Sequence, residues 1–253
     1  MKRLSLTLSK PNSLLPVKNG ISLAFPPRNH SVVRNFVLIS EKPRETEIQS
    51  AIDEISTIIE LKDNSSAYIP TRPFLNVCNS VLQVLEKIGP TMSVLRHDIS
   101  QNIQKLDILY ESDTSRYSNL IDVLEKEAGE GTGRKGESCS KAILWLTRCL
   151  DFTVALLERM VENDEEHNME EVVEESYVIT LKPWHGWISF AAFRVAIRLV
   201  PDKKTFISIL MSNYEDYSKL QADMESFVSL LAPILQDCHS ILRQYNMDGL
   251  KST

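Results

Sequence analysis

The sequence predicts an all-α fold, and three observations support this prediction. Apolar residues recur at the i, i+3, i+4 spacing of amphipathic helices from about residue 45 to the C-terminus. No segment alternates apolar and polar residues over the length of a strand. No pattern repeats at a fixed period, which argues against a solenoid. We therefore expect about eight helices in one domain of residues 45–253.

Four helices are predicted in the first half of this domain. Their apolar residues are, in order, Ile52, Ile55, Ile58 and Ile59; Phe74, Val77, Cys78, Val81, Leu82 and Leu85; Leu95, Ile99, Ile103 and Leu106; and Tyr117, Leu120, Ile121 and Leu124. Pro73 suits the first turn of the second helix, and Gly89-Pro90 ends it. The glycine-rich stretch 127–140 is predicted to be a loop.

The second half contains the most apolar helices. The segment from about Lys141 to Val161 is apolar on most of its circumference, which predicts a central helix. A helix through Met169, Val172, Val173 and Tyr177 follows. Residues 187–200 are again apolar nearly all round, with Arg194 and Arg198 as a solvated strip. The last helix runs from Leu220 to Tyr245, and Pro233 is expected to kink it.

The N-terminal residues differ in composition from the rest of the chain. Before Glu41 they contain cations but no Asp or Glu, namely Lys2, Arg3, Lys10, Lys18, Arg28 and Arg34. They are also rich in Ser, Pro and Asn, so residues 1–44 are predicted to be a flexible basic extension. An organelle transit peptide within residues 1–40 is the alternative, but the prolines favour a simple tail on a cytoplasmic protein.

Composition excludes several classes of protein. The chain has 253 residues, 43% of them hydrophobic, and a net charge of −6. Since the extension contains cations and no Asp or Glu, the domain is more acidic than the net charge suggests, which argues against a nucleic-acid partner. No apolar run approaches the roughly 18 residues of a membrane-spanning helix, so we expect contact with a membrane surface at most. Cys78, Cys139, Cys149 and Cys238 have no metal-ligand spacing and are interpreted as reduced core residues.

A set of polar residues stands out on the third helix. Asp98, Asn102 and Lys105 are spaced i, i+4 and i+7, so they project from one helical face; we call them the polar triad. The apolar stripe of the same helix lies beside them. This arrangement predicts a polar rim next to a buried interior, which suits a ligand with a polar head and an apolar tail.

Aromatic and basic residues add to this candidate site. Trp145 shares a helical face with Lys141 and Arg148, and Trp184 and Trp187 flank His185. Each aromatic residue alone is more often plain core. Together with the triad they provide the carboxylate, amide, cation and indole groups typical of a site for a sugar or phosphate headgroup.

Enzymatic sites are poorly supported. His185 with Asp98 could act as an acid/base pair, but the chain lacks a nucleophile elbow and a His-Glu-x-x-His helix. The glycines at 129, 131, 133 and 136, with Lys135 and Ser138, lack the Gly-Lys-Ser/Thr ending and the preceding strand of a phosphate-binding loop. No catalytic residue, metal or cofactor is therefore predicted.

Three motifs in this order resemble the glycolipid transfer protein family over roughly residues 50–250. They are Asp98-Ile-Ser-Gln-Asn102-Ile-Gln-Lys105, Leu144-Trp-Leu-Thr-Arg148, and Trp184-His-Gly-Trp187 followed by an apolar helix and Pro201-Asp-Lys-Lys204. Thr71-Arg-Pro-Phe-Leu75 is also similar to the start of that family's second helix. The resemblance implies a two-layer helical sandwich that sequesters lipid chains between its layers. It also implies non-enzymatic transfer, or sensing, of sphingolipids.

The resemblance implies a role for each motif residue. Asp98 and His185 would hold the ceramide amide, Asn102 and Lys105 the headgroup, and Trp145 would stack on the first sugar. Arg148 is counted with these headgroup residues, and Trp187 would contact the bilayer. Phe190, Phe193, Phe227 and Leu231 are candidate walls of the acyl-chain pocket, with plain core packing as the alternative.

The headgroup is left open between two classes. Trp145 favours a glycosylceramide, because an indole covers the apolar face of a sugar ring. Lys105, Lys141 and Arg148 keep ceramide 1-phosphate as the alternative, because clustered cations bind phosphate. The expected partners are one of these lipids and a transient membrane surface, with the protein a monomer. A helical scaffold without a ligand ranks second, and an acid/base hydrolase third.

Overall fold

The computed structural model describes residues 46–62, 68–162 and 168–252. Within these ranges the chain forms nine α-helices, so the all-α prediction is confirmed. The helices are α1 (Glu47–Leu61), α2 (Thr71–Ile88), α3 (Ser93–Ser112), α4 (Leu120–Glu130), α5 (Cys139–Glu162), α6 (Met169–Thr180), α7 (Trp187–Ala196), α8 (Lys203–Leu210) and α9 (Tyr217–Gln244). The predicted extension, residues 1–44, and its targeting alternative lie outside the described residues.

The prediction of about eight helices agrees with the nine in the described ranges, which include one helix that the sequence pattern did not indicate. The additional helix, α8, has eight residues and begins at Asp202, whose side chain accepts a hydrogen bond from the backbone N–H of Thr205 (2.9 Å). Asp is a favoured N-cap residue, but a two-turn helix carries too few apolar positions to show a clear periodicity.

The ends of the longer helices follow from local sequence signals. Thr46 and Asn168 form capping boxes at the starts of α1 and α6, and Asn119 caps α4. Gly89, at φ 103°, ends α2 as predicted, and Gly131 ends α4 in the left-handed region at φ 64°. The predicted loop 127–140 is wrong at both ends, because the helices on either side extend into it and leave residues 131–138.

Helix α5 lies at the centre of the fold, as its composition predicts. It packs against α3, α4, α6 and α9, while α1 and α2 pack on each other and connect α9 to α3. Its fully buried side chains include Ile143, Leu144 and Leu150. The facing surface of α9 is equally apolar, with Phe227 and Leu231 both buried. The helix that carries Trp145 and Arg148 is therefore fixed by packing on several sides.

Helix α7 differs from α5 although both are apolar nearly all round. None of the residues of α7 is buried, and Trp187, Ile188 and Val195 are 78%, 50% and 66% exposed. Apolar composition alone therefore does not distinguish a buried helix such as α5 from α7, which lies at the surface. Leu95, placed in the apolar stripe of α3, is likewise 42% exposed, whereas Ile99 lies in the core.

The start of α5 depends on a carboxylate from the preceding helix. Both oxygens of the buried Glu127 side chain accept hydrogen bonds from α5, from the backbone N–H groups of Cys139 (2.9 Å) and Ser140 (2.8 Å). The first N–H groups of a helix have no partner within it, so a carboxylate there both satisfies them and meets the positive end of the helix dipole. Glu127 thus fixes α4 to the helix that carries the candidate site.

We expect Glu127→Ala to lower the free energy of unfolding by about 1–3 kcal/mol, because two backbone donors lose a charged acceptor in a buried position. Urea unfolding followed by circular dichroism measures this loss. Glu130→Ala is the matched control, since Glu130 is exposed and pairs only at the surface with Lys126. Equal effects of the two substitutions would contradict the capping role.

Candidate functional site

The polar triad lies on α3 at the edge of the core, as predicted. Asp98 is exposed, Asn102 is 8% exposed, and Lys105 is intermediate, while Ile99 and Ile103 beside them are buried. The side-chain amide of Asn102 donates to the backbone oxygen of Asp98 (3.0 Å). The amide is thereby held in place by its own helix, which presets its orientation.

Helix α5, which carries Trp145, packs against the helix of this triad. At one end, the thiol of Cys139 donates to the backbone oxygen of Lys105 (3.6 Å). At the other end, burial raises the pKa of Cys149 to about 12, and the nearby Asp98 carboxylate adds to the shift. The two helices therefore run antiparallel, and Trp145, one turn before Cys149, lies between these two contacts.

The Asp98 carboxyl lies in a mixed electrostatic environment. Desolvation by the surrounding protein raises its pKa above the ordinary value, Lys105 opposes this shift, and Glu137 adds to it. The carboxylate is thus partly withdrawn from water and still open to a ligand. Such a group is a strong acceptor for an amide N–H or a hydroxyl, because water does not fully satisfy it.

Trp145, Arg148 and His185 come together as the sequence predicts. The rings of Trp145 and His185 are 6.0 Å apart. The guanidinium of Arg148 lies between two indoles, 4.8 Å from the ring centre of Trp145 and 4.2 Å from that of Trp184. Both distances are in the range of cation–π contacts. Trp184, which the sequence identified only as a neighbour of His185, is therefore part of the support of the site.

Arg148 is held from behind by the C-terminal segment. It is only 1% exposed, and its terminal nitrogens donate to the backbone oxygens of Leu250 (2.8 Å) and Asp248 (2.5 Å). Burial lowers its pKa to about 10. Because these nitrogens already have partners, the geometry favours Arg148 as a support for Trp145 over the predicted contact with a headgroup, which stays a prediction.

No pattern in the sequence indicated the contacts that fix this segment. His239 on α9 bridges two carboxylates, with Nε2 2.8 Å from Asp151 and Nδ1 2.7 Å from Asp248, and these carboxylates raise its pKa. Ser252 donates its N–H to the oxygen of Trp184 (2.9 Å) and accepts from the N–H of Gly186 (3.0 Å). Partners so far apart in sequence leave no spacing motif.

His185 is a neutral side chain fixed by aromatic neighbours. Its Nδ1 lies 3.2 Å from the hydroxyl of Tyr177, and the two rings are 5.4 Å apart. Burial lowers the pKa of His185, and the positive charge of Arg148 lowers it further. In the described part of the chain its hydrogen-bond partner is Tyr177 and not Asp98. A neutral imidazole retains one donor and one acceptor for a polar ligand.

The predicted wall residues fall into two groups. Phe227 and Leu231 are buried on α9. Phe193 on α7 stacks on Tyr177 with ring centres 3.5 Å apart, and Phe190 is 42% exposed. Tyr177 therefore links the α7 aromatic residues to His185. Whether these four side chains line one acyl pocket stays a prediction.

Comparison with known proteins shows which family this chain belongs to. The profile of the glycolipid transfer protein family matches residues 69–212. Glycolipid transfer protein 3 of Arabidopsis thaliana is 51% identical over 222 residues, which cover 84% of this chain and 95% of the relative. The chain belongs to the glycolipid transfer protein family. Glycolipid transfer protein 2 of the same organism is 49% identical, over 84% of this chain and 96% of the relative.

Solved structures show that this chain has the fold of the glycolipid transfer protein family, as the resemblance implied. A structure concerned with how FAPP2 selects simple glycosphingolipids aligns with a TM-score of 0.73 at 22% identity, covering 82% of this chain and all of that one. Human ceramide-1-phosphate transfer protein, in complex with that lipid, aligns with a TM-score of 0.69 at 15% identity, covering 79% and 97%. At such identities the likeness concerns the fold alone.

We expect the His185 imidazole to titrate below 6.5, its ordinary pKa, because burial and Arg148 both disfavour the charged form. Between the folded pKa and 6.5 the unfolded chain binds more protons, so the contribution of His185 to stability is lost as the pH falls through this interval. Histidine NMR titration of the wild type, assigned with His185→Gln, measures the shift. Titration at or above the ordinary value would contradict a neutral, partly buried ring.

Proposed function

We propose that this protein transfers sphingolipids between membranes without altering them chemically, with glycosylceramides as its preferred cargo. The observation that carries the proposal is the position of Trp145. Its indole is supported by the buried Arg148, and it stands on α5, which packs against α3, the helix of Asp98 and Asn102. An aromatic face beside a carboxylate and an amide suits a sugar linked to a ceramide amide. Membership in the glycolipid transfer protein family supports the same class of cargo.

Transfer requires an apolar environment for the lipid chains. Each methylene that leaves a bilayer for water costs about 0.8 kcal/mol, so a free long-chain lipid crosses water slowly. A protein removes this barrier when it offers apolar surface in place of the bilayer. The aromatic residues next to His185, Phe193 and Tyr177, and the apolar face of α9 with Phe227 and Leu231, can provide that surface.

Polar groups at the rim would select the lipid. Asp98 can accept from the ceramide amide and a sugar hydroxyl, and the neutral His185 can complete the amide contact. Asn102 and Lys105 lie further along the same face of α3, where they can bond hydroxyls of the sugar. Arg148 supports Trp145 instead of reaching the rim, since its terminal nitrogens bond the C-terminal carbonyls. These features favour a sugar over a phosphate.

The exposed face of α7 suits transient contact with a membrane. Trp187, Ile188 and Val195 are exposed apolar residues on this helix, and Arg194 and Arg198 stand among them. Exposed apolar patches edged by cations are typical of membrane-surface contacts, and Trp prefers the interface. No described helix is long and apolar enough to span a membrane. We expect a monomer that acts in the cytoplasm and carries out no covalent step.

We expect the wild type to transfer glucosylceramide between phosphatidylcholine vesicles, and Trp145→Ala to slow this transfer about fivefold or more, because the stack on the sugar is lost. Ceramide 1-phosphate has no sugar, so its transfer should be much less sensitive to this change. Asp98→Asn should slow the transfer of both lipids, because both contain the ceramide amide.

Trp145→Phe is the matched control, since it keeps a ring over the sugar, and circular dichroism confirms that each variant is folded. A wild type that prefers ceramide 1-phosphate in direct competition would contradict the headgroup assignment. A folded wild type that transfers neither lipid would contradict the function.

We expect Trp187→Ala to reduce vesicle binding and transfer rate about fivefold, while the equilibrium affinity for glucosylceramide changes less, because the indole contacts the bilayer and not the cargo. Vesicle sedimentation and a fluorescence titration with lipid separate the two effects. Ile108→Ala is the control, since it truncates an exposed apolar residue (65%) of α3. An equal effect of both substitutions would argue against α7 as the contact surface.

A further inference from the structure

The loop between α4 and α5 brings a carboxylate to the polar triad. Glu137 is exposed, at 82% of its side chain, and forms an ion pair with Lys105. Lys105 and Lys141 both lower the pKa of Glu137, with its hydrogen bond to Lys105 as the main cause. The charge of Glu137 also raises the pKa of Asp98. Four charged side chains, two of each sign, therefore lie near one another, and Lys141 is one helical turn before Trp145 on α5.

This loop, residues 131–138, is held in a defined conformation. At its start, the backbone N–H groups of Thr132 (2.9 Å) and Gly133 (3.2 Å) donate to the backbone oxygen of Glu127. At its end, the buried Ser138 hydroxyl donates to the oxygen of Gly133 (2.5 Å). Gly136, at φ 44°, sits immediately before Glu137, and its oxygen accepts from the Lys141 ammonium (2.9 Å). Glu137 is thus presented from an anchored turn.

We propose that Glu137 sets the preference of this site for neutral over anionic headgroups. The proposal rests on the proposed function and names the residue that selects within it. Lys105 and Lys141, the cations that would otherwise attract a phosphate, are already faced by Glu137 and by the Gly136 carbonyl. The other charged residues of the loop, Arg134 and Lys135, are exposed cations. Glu137 is therefore the one residue of this loop whose charge repels an anion.

Charge explains why the two headgroups would respond differently. A phosphate monoester carries about −1.5 to −2 charges at neutral pH, and a carboxylate a few ångströms away repels it. A phosphate that binds Lys105 either displaces Glu137 from its ion pair or lies beside the Glu137 carboxylate, and both are unfavourable. A sugar carries no charge, and its hydroxyl can donate to the Glu137 carboxylate without breaking the pair with Lys105. One residue therefore disfavours phosphate and tolerates sugar.

The test measures selectivity as a ratio of transfer rates. Wild type, Glu137→Gln and Glu137→Lys are assayed with ceramide 1-phosphate and with glucosylceramide, of identical acyl chains and in vesicles of equal surface charge. We expect the ratio of ceramide 1-phosphate to glucosylceramide transfer to rise about tenfold in Glu137→Gln and further in Glu137→Lys. Lower ionic strength should enlarge both effects. Tryptophan fluorescence titrations should give the same order of affinities.

Glu130→Gln is the control, because it removes the same charge at the end of α4, where Glu130 pairs with Lys126. Its ratio should equal that of the wild type. An unchanged ratio in both Glu137 variants, with glucosylceramide transfer present in the wild type, would overturn the role of Glu137 and leave the function standing. A wild type that carries Glu137 and still prefers ceramide 1-phosphate would overturn this role and the headgroup assignment together.

Discussion

The candidate site depends on one buried cation. Arg148 lies between Trp145 and Trp184, and its terminal nitrogens bond two carbonyls of the C-terminal segment. Withdrawing a guanidinium from water costs several kcal/mol, and these contacts offset part of that cost, so the indoles and the carbonyls must stay in place for the fold to be stable. The same contacts set the orientation of Trp145. Stability and ligand recognition are therefore coupled through a residue that need not touch the ligand.

The C-terminal segment is part of this support although it forms no helix. His239 joins Asp151 of α5 to Asp248, and Ser252 bonds the backbone on either side of His185. The hydrogen bond and charge of Asp151, and those of Asp248, raise the pKa of His239 because they favour its charged form. In this way the end of the chain connects the central helix to the turn that precedes α7.

The two faces of the site differ in how they are held. On the aromatic side Arg148 and Tyr177 are buried; Arg148 contacts the Trp145 ring, and the half-buried Phe193 stacks on Tyr177. The polar side carries charged groups at the surface, where salt and water weaken each ion pair. A binding site of this kind can keep a fixed platform for the sugar or the amide while its charged rim adjusts to the headgroup. The rim is therefore where selectivity can change at small cost to stability.

Periodicity and spacing in the sequence determined the helical fold, the central position of α5 and the common face of Asp98, Asn102 and Lys105, because helix geometry makes residues four apart neighbours. The motif resemblance identified the family and named Trp145, Arg148 and His185 as members of one site. Tertiary structure alone decided that Arg148 bonds the C-terminal carbonyls, that α7 is exposed, and that Glu137 faces Lys105. These three features depend on contacts between residues that are far apart in the sequence. Local sequence patterns do not predict such contacts.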